Sequence, residues 1–146
     1  MTPYDPGRDA AERYPDWVIR HRPLGGVIPE VMCRRRKTIL IDSGSSWSAK
    51  RCSLAHAVAH LDLHHEAAAH GGTFEKWMER EANGLSARRL IPIRALASVV
   101  CWTRDTHEIA HELQVDLATL EVRRTHLHES ERGFLRRAMK WLEETA

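Results

Sequence analysis

Short apolar runs bounded by polar and turn-forming positions mark three stretches near the start of the chain, residues 16–21, 27–33 and 38–42, as β-prone. Such runs read as strands, and the intervening Pro23-Leu24-Gly25-Gly26 and Arg34-Arg35-Arg36-Lys37 separate them, so the pattern predicts a small antiparallel sheet. Residues 1–15 hold three prolines and mixed charge, which predicts a loose lead-in with one helical turn around Ala10 to Tyr14. After the sheet, Ser43-Gly44-Ser45-Ser46 offers serine caps for a helix whose buried stripe is Leu54, Val58 and Leu61. A glycine pair, Gly71-Gly72, predicts the loop to a second helix, and Pro92 breaks that helix from an apolar helical run over residues 93–102. Residues 109–120 have the pattern of a helix, a turn and a second helix capped by Asp116. Phe134, Leu135, Met139, Trp141 and Leu142 then predict a final amphipathic helix that seals the core.

The chemistry concentrates in His56-Ala57-Val58-Ala59-His60. Two histidines four residues apart lie one turn apart on one helix face, so both imidazoles can reach a single metal ion. A bare pair of this kind is common by chance and is more often a solvated or core-edge pair. The neighbourhood supplies more: Glu79 and Asn83 are again four apart on the second helix, so the carboxylate can ligate while the amide supports a histidine. A zinc-peptidase helix of the HExxH type also needs a glutamate directly after the first histidine, to take a proton from metal-bound water. That position is Ala57. The arrangement with a third histidine six residues after the second is not met, because position 66 is Glu66.

Three motifs in order, Arg51-Cys52-Ser53-Leu54-Ala55-His56, then Glu79-Arg80-Glu81-Ala82-Asn83, then Ala87-Arg88-Arg89-Leu90-Ile91-Pro92, resemble the ImmA/IrrE family of small zinc metallopeptidases. The likeness is strongest to the short versions of actinobacteria and their phages, and it runs from about Thr38 to the C-terminal helices. It implies an α+β fold in which the small sheet packs on a mainly helical, zincin-like body of the gluzincin type. It further implies Zn2+ held by His56, His60 and Glu79, with Asn83 in support. Glu81 competes for the third ligand place, although it faces roughly the opposite side of the helix from Glu79. The implied activity is proteolysis of a helix-turn-helix transcriptional repressor of a phage or mobile element. With alanine in place of the general base, the chain as written is expected to be inactive or nearly so, since such a base is worth about 10²- to 10⁴-fold. Two origins fit Ala57, natural loss or a Glu→Ala change introduced to silence the enzyme, and the intact metal and support positions favour the second. The competing expectations are a zinc-bound antirepressor that holds its partner without cutting it, and a DNA-binding helix-turn-helix protein.

Composition narrows these choices. At 146 residues and 42% hydrophobic the chain suits one domain, divided as lead-in 1–15, sheet 16–42, metal-binding helices 46–99 and C-terminal helices 104–143. A net charge of +2 is too small to imply a nucleic-acid or membrane partner. Residues 104–128 carry three basic side chains, Arg104, Arg123 and Arg124, against five acidic ones, which argues against a phosphate-binding surface. Cys33, Cys52 and Cys101 are widely spaced and odd in number. Together with the absence of a secretory pattern or a long apolar run, this predicts a cytoplasmic protein without disulfides. The four-residue basic run reads as a solvated turn rather than a docking site, and His64, His65 and His70 as a polar helix end, with His64 continuing the His56 and His60 face. No oxyanion donor can be assigned, Tyr14 included.

Overall fold

The computed structural model describes residues 2–65 and 73–145, so the predicted Gly71-Gly72 loop lies outside the described residues. Helix α1 (Pro6–Arg13) precedes strands β1 (Val18–Arg22), β2 (Glu30–Cys33) and β3 (Thr38–Asp42). The helices α2 (Trp47–Asp62), α3 (Thr73–Leu90), α4 (Ile93–Val100), α5 (Thr106–Leu113), α6 (Leu117–Thr125) and α7 (Glu129–Thr145) follow. The class is α+β. Helix α1 is longer than the single turn expected at 10–14 because Asp5 caps it, accepting from the backbone N–H groups of Gly7 and Arg8, and because Pro6 is preset for a first turn.

The sheet order is β1-β3-β2. The antiparallel expectation holds for β2 with β3, which form a hairpin through Arg34–Lys37 in which Lys37 takes a left-handed φ of 47°. It fails for β1, which pairs parallel to β3 with Ile19 opposite Ile39. The reason is connectivity: residues 23–29 carry the chain past the central position to the far edge, and the hairpin brings β3 back between the other two, so two reversals restore the direction of β1. Gly25 and Gly26, at φ of 78° and 73°, make the first reversal in a conformation that other residues rarely adopt. Asp42 then fastens the crossing loop to the end of β3, accepting from the N–H groups of Leu24 at 3.1 Å and Gly44 at 3.2 Å.

Ile39 and Ile41, two residues apart and fully buried, present one face of β3 to α2, where they meet Ala57 and Leu61. Ser46 caps α2 by accepting from Ala49 N–H. This helix is buried on several sides, and Ala55, Ala57 and Ala59 keep it slim enough for the sheet, α3 and the C-terminal helices to pack around it. A second core gathers Ala55, Leu90, Ile91, Leu96, Ile109 and Leu120 from α2 to α6. The break expected at Pro92 is present, with Pro92 standing at the N-cap of α4. Helix α7 has no buried residue, contrary to the expectation that it seals the core. Its apolar face rests on α4 with Leu135 half-buried, and Trp141 stays 63% exposed.

Two ionic ties lock the helices. Arg123 of α6 is 2% exposed, donates to the Ile91 carbonyl at 2.7 Å and pairs with Glu131 of α7. Asp62, at the end of α2, takes Arg13 of α1 at 2.7 Å and Arg89 of α3 at 2.6 Å, together with the Tyr14 hydroxyl. Burial alone would raise the Asp62 carboxyl. Hydrogen bonds from Arg13, Tyr14 and Arg89 outweigh it and hold the pKa down to about 2. Because the folded value is depressed, the stability from this cluster is present above the ordinary carboxylate range and is lost as pH falls through about 2. Asp62→Asn should therefore lower thermal stability at neutral pH by on the order of 2 kcal/mol. In thermal unfolding followed by circular dichroism, the deficit should shrink between about pH 4 and pH 2; a deficit constant over that range would refute the assignment.

Candidate metal centre

The geometry of α2 puts His56 and His60 on one face, each side chain about one-seventh exposed, with rings in an edge-on arrangement 4.5 Å apart. Their Nε2 atoms lie 2.9 Å from each other. Glu79 arrives from α3 and spans the pair, Oε2 at 3.1 Å from His56 Nε2 and Oε1 at 2.9 Å from His60 Nε2. The three donor atoms lie within 4.8 Å of one another. Asn83, one turn further along α3, lines the same cavity as His56 and helps to raise that histidine's pKa. Glu81 points elsewhere, 2.9 Å from His65 Nε2, as expected for a residue some 200° round the helix from Glu79.

The donor chemistry fits a cation. For Glu79 to accept from both imidazoles, both Nε2 atoms must carry protons, and two N–H groups would then confront each other across 2.9 Å. One divalent ion replaces both protons and turns the repulsion into two bonds. A tetrahedral zinc with bonds of about 2.0–2.1 Å sets its donor atoms about 3.3 Å apart, a few tenths of an ångström from the spacing here. The electrostatics agree. Hydrogen bonds from His56 and His60 hold the Glu79 carboxyl well below the usual carboxylate range, against the effect of its burial. For His56, burial works to lower the pKa, but Glu79, the charge of Glu30 and the Asn83 hydrogen bond together raise it.

Behind His60 runs a chain of contacts that spacing alone did not foretell. His60 Nδ1 lies 3.0 Å from His65 Nδ1, and His65 Nε2 lies 2.9 Å from Glu81 Oε1. If His60 offers the Nε2 lone pair to a metal, its Nδ1 proton points at His65, whose own Nε2 proton points at Glu81, so one set of tautomers satisfies every partner. Arg34 secures this turn by donating to the His65 carbonyl and, at 3.4 Å, to that of His60. The solvated-turn expectation thus holds for Arg35, Arg36 and Lys37, which are exposed, but not for Arg34. His64 departs from its expected place. It lies beyond the end of α2 in a left-handed conformation, φ 55°, and is exposed, and this local reversal is what folds His65 back onto His60. His70 and Glu66 lie outside the described residues. Tyr14 is engaged by Asp62.

Ala57 is 1% exposed against Ile39, Ile41 and Leu61 and offers no polar atom to the centre. A cavity of about 270 Å³ opens from His56 and Glu79, bounded by Pro29 and Glu30 where β2 begins and by Asp116, Ala118 and Thr119 at the start of α6. That turn of α6, which a recognition helix would insert into a DNA groove, is here a cavity wall. Sequence reading passed over Glu30, whose carboxylate reaches within 3.6 Å of His56 Nε2.

The outer contacts generate an expectation for metal affinity. His65→Ala should weaken zinc binding by about 10-fold or more in chelator competition. His65→Gln should recover most of the loss, because its amide can accept from His60 and donate to Glu81. Equal affinity in all three proteins would show that the chain of contacts does not orient His60.

A search of curated proteins finds no match to the chain. A family model, that of the M78 peptidases described as the IrrE N-terminal-like domain, matches residues 10–125, a span that holds the sheet, both histidines, Glu79 and the α5–α6 pair. The chain belongs to this IrrE N-terminal-like metallopeptidase family.

Proposed function

We propose that this chain carries the zinc centre of an IrrE-type endopeptidase and that, with Ala57 at the position of the general base, it cleaves its target slowly or not at all. The observation that carries the reading is the convergence of His56, His60 and Glu79 on one point beside a cavity. Bound zinc would supply a Lewis acid and lower the pKa of a water molecule. The chain's own residues do the rest. Asn83 orients His56, and the His65–Glu81 pair orients His60. Strand β2 is an edge of the sheet, and Pro29 and Glu30 line the cavity, so an extended segment of substrate can pair along it. What is missing is a proton acceptor at position 57, where a methyl group meets isoleucines.

The target we favour is a helix-turn-helix repressor of a phage or mobile element, met in the cytoplasm. No helix among the described residues is long and apolar enough to cross a membrane, which is compatible with such a partner. Loss of the base also favours a second reading, in which the zinc-bound chain inactivates the repressor by holding it. A direct role in DNA binding is disfavoured, because Arg123 of α6 is buried in its pair with Glu131 and the helix's first turn walls the cavity.

The test compares this chain with Ala57→Glu, for zinc content and for cleavage of the repressor encoded beside it. Zinc should be equal in the two, and the glutamate form should cut faster by about 10²- to 10⁴-fold. A stable complex without products from the alanine form would favour the holding mode. Cleavage by the alanine form at the rate of the glutamate form would contradict the proposal, and so would activity that survives chelation of the metal.

A further inference from the structure

Basic side chains are unevenly spread over this molecule. Residues 18–37, which hold β1, β2 and the loops that lead to β3, carry six lysines and arginines against one acidic residue, Glu30, whereas the remainder carries sixteen against nineteen. The hairpin tip is the densest part. Arg34 turns inward to the carbonyls of His60 and His65, which fastens the tip to the turn beside the metal centre. Arg35 and Arg36 stand in solvent with no ion pair among the described residues, and Lys37 has only a 3.6 Å contact with the exposed Asp16. Strand β2 ends at this tip and begins at the cavity, so one strand joins the two. In the sheet order β1-β3-β2 its outer edge meets no further strand among the described residues. Asp42 N–H donates to the Pro29 carbonyl at 2.9 Å, so alternation turns the main-chain groups of Val31 toward β3 and those of Glu30 and Met32 toward the open edge. The Met32 side chain packs toward α2, which leaves Val31 on the outer face, exposed like Val27 and Ile28 before it.

We propose that the open edge of β2 and the Arg35 and Arg36 tip form one recognition surface, which selects a target segment carrying acidic residues a few positions from the bond held at the metal centre. At about 3.3 Å per residue, the run of β2 and the turn beyond it place those acidic side chains about four to six residues from that bond. The inference rests on the reading that the target meets the centre along β2, and it adds the chemistry the target must carry. An acidic protein segment suits this surface better than nucleic acid does. The edge offers main-chain donors, acceptors and apolar side chains, which an added strand satisfies and a phosphate backbone does not, and the tip is too small for the broad basic surface on which duplex binding draws. Solvation of Arg35 and Arg36 in the free protein favours the role, because no internal partner has to be given up when the segment arrives. Charge at the end of the edge then discriminates among segments that would otherwise pair alike.

The test is fluorescence anisotropy with the whole zinc-loaded chain and labelled, β-prone valine and threonine peptides that carry a run of aspartates at one end or the other, so that both strand directions are covered. Twins with asparagines in place of the aspartates are the comparison. The better acidic peptide should bind about 10-fold more tightly than its twin at physiological salt. Arg35→Glu together with Arg36→Glu should remove that preference, and N-methylation of alternate peptide amides should abolish binding. With cobalt at the centre, the visible spectrum should shift when the acidic peptide binds. Zinc content and thermal unfolding should match between the parent and the double variant, because both arginines are exposed. Equal binding of acidic peptide and twin, a preference that survives the double change or the N-methylation, or tighter binding of random duplex DNA than of the acidic peptide would each overturn the surface. So would acidic binding that leaves the cobalt spectrum unmoved, since it would lie off the path of the target. Failure of the parent chain to bind zinc or cobalt is a separate result: it brings down the centre, while the peptide preference still decides the surface.

Discussion

Two imidazole nitrogens aimed at each other across 2.9 Å, with one carboxylate spanning both, form an arrangement that a protein of neutral side chains has no reason to build. Protons on both nitrogens clash, and a proton on only one leaves part of the carboxylate without a donor. A cation resolves all three contacts at once. Every other feature of the site makes sense relative to that point: Asn83 against one histidine, His65 and Glu81 against the other, and a cavity leading away.

The fold serves to hold α2 and α3 in fixed register at that point. Small residues on α2 let the sheet, α1 and α3 close around it, so the histidine face is set by packing on the remaining faces rather than by its own contacts. The Asp62 cluster ties the end of α2 to α1 and α3 just past His60, and Arg34 ties the same turn to the hairpin. These are ionic contacts at the C-terminal end of the helix, which anchor the turn just past the histidine pair.

Helical spacing made much of this legible in advance. Residues four apart share a face whatever the tertiary structure, so His56 with His60, and Glu79 with Asn83, could be read as facing sets, and Pro92 as a break. Three features depended on information that periodicity does not carry. The parallel pairing of β1 with β3 follows from where a loop crosses the sheet, and strand alternation is the same for either direction. His65 reaches His60 only because His64 adopts a left-handed conformation, which a histidine rarely takes and which no local motif announces. Glu30 is an unremarkable polar position in a β-prone stretch, 26 residues before His56, and only the packing of β2 beside α2 brings it to the centre. The helix-turn-helix pattern near the C-terminus was legible as helices and ambiguous as function; burial of Arg123 and placement of the first turn of α6 resolve what those helices do in the fold.

The most direct measurement of the central claim is X-ray absorption at the zinc edge on the purified chain. Two imidazole nitrogens and carboxylate oxygen at about 2.0–2.1 Å, with no sulfur, are predicted. A sulfur scatterer at about 2.3 Å would place the metal on a cysteine such as Cys52, which also lines the cavity, and would contradict the account.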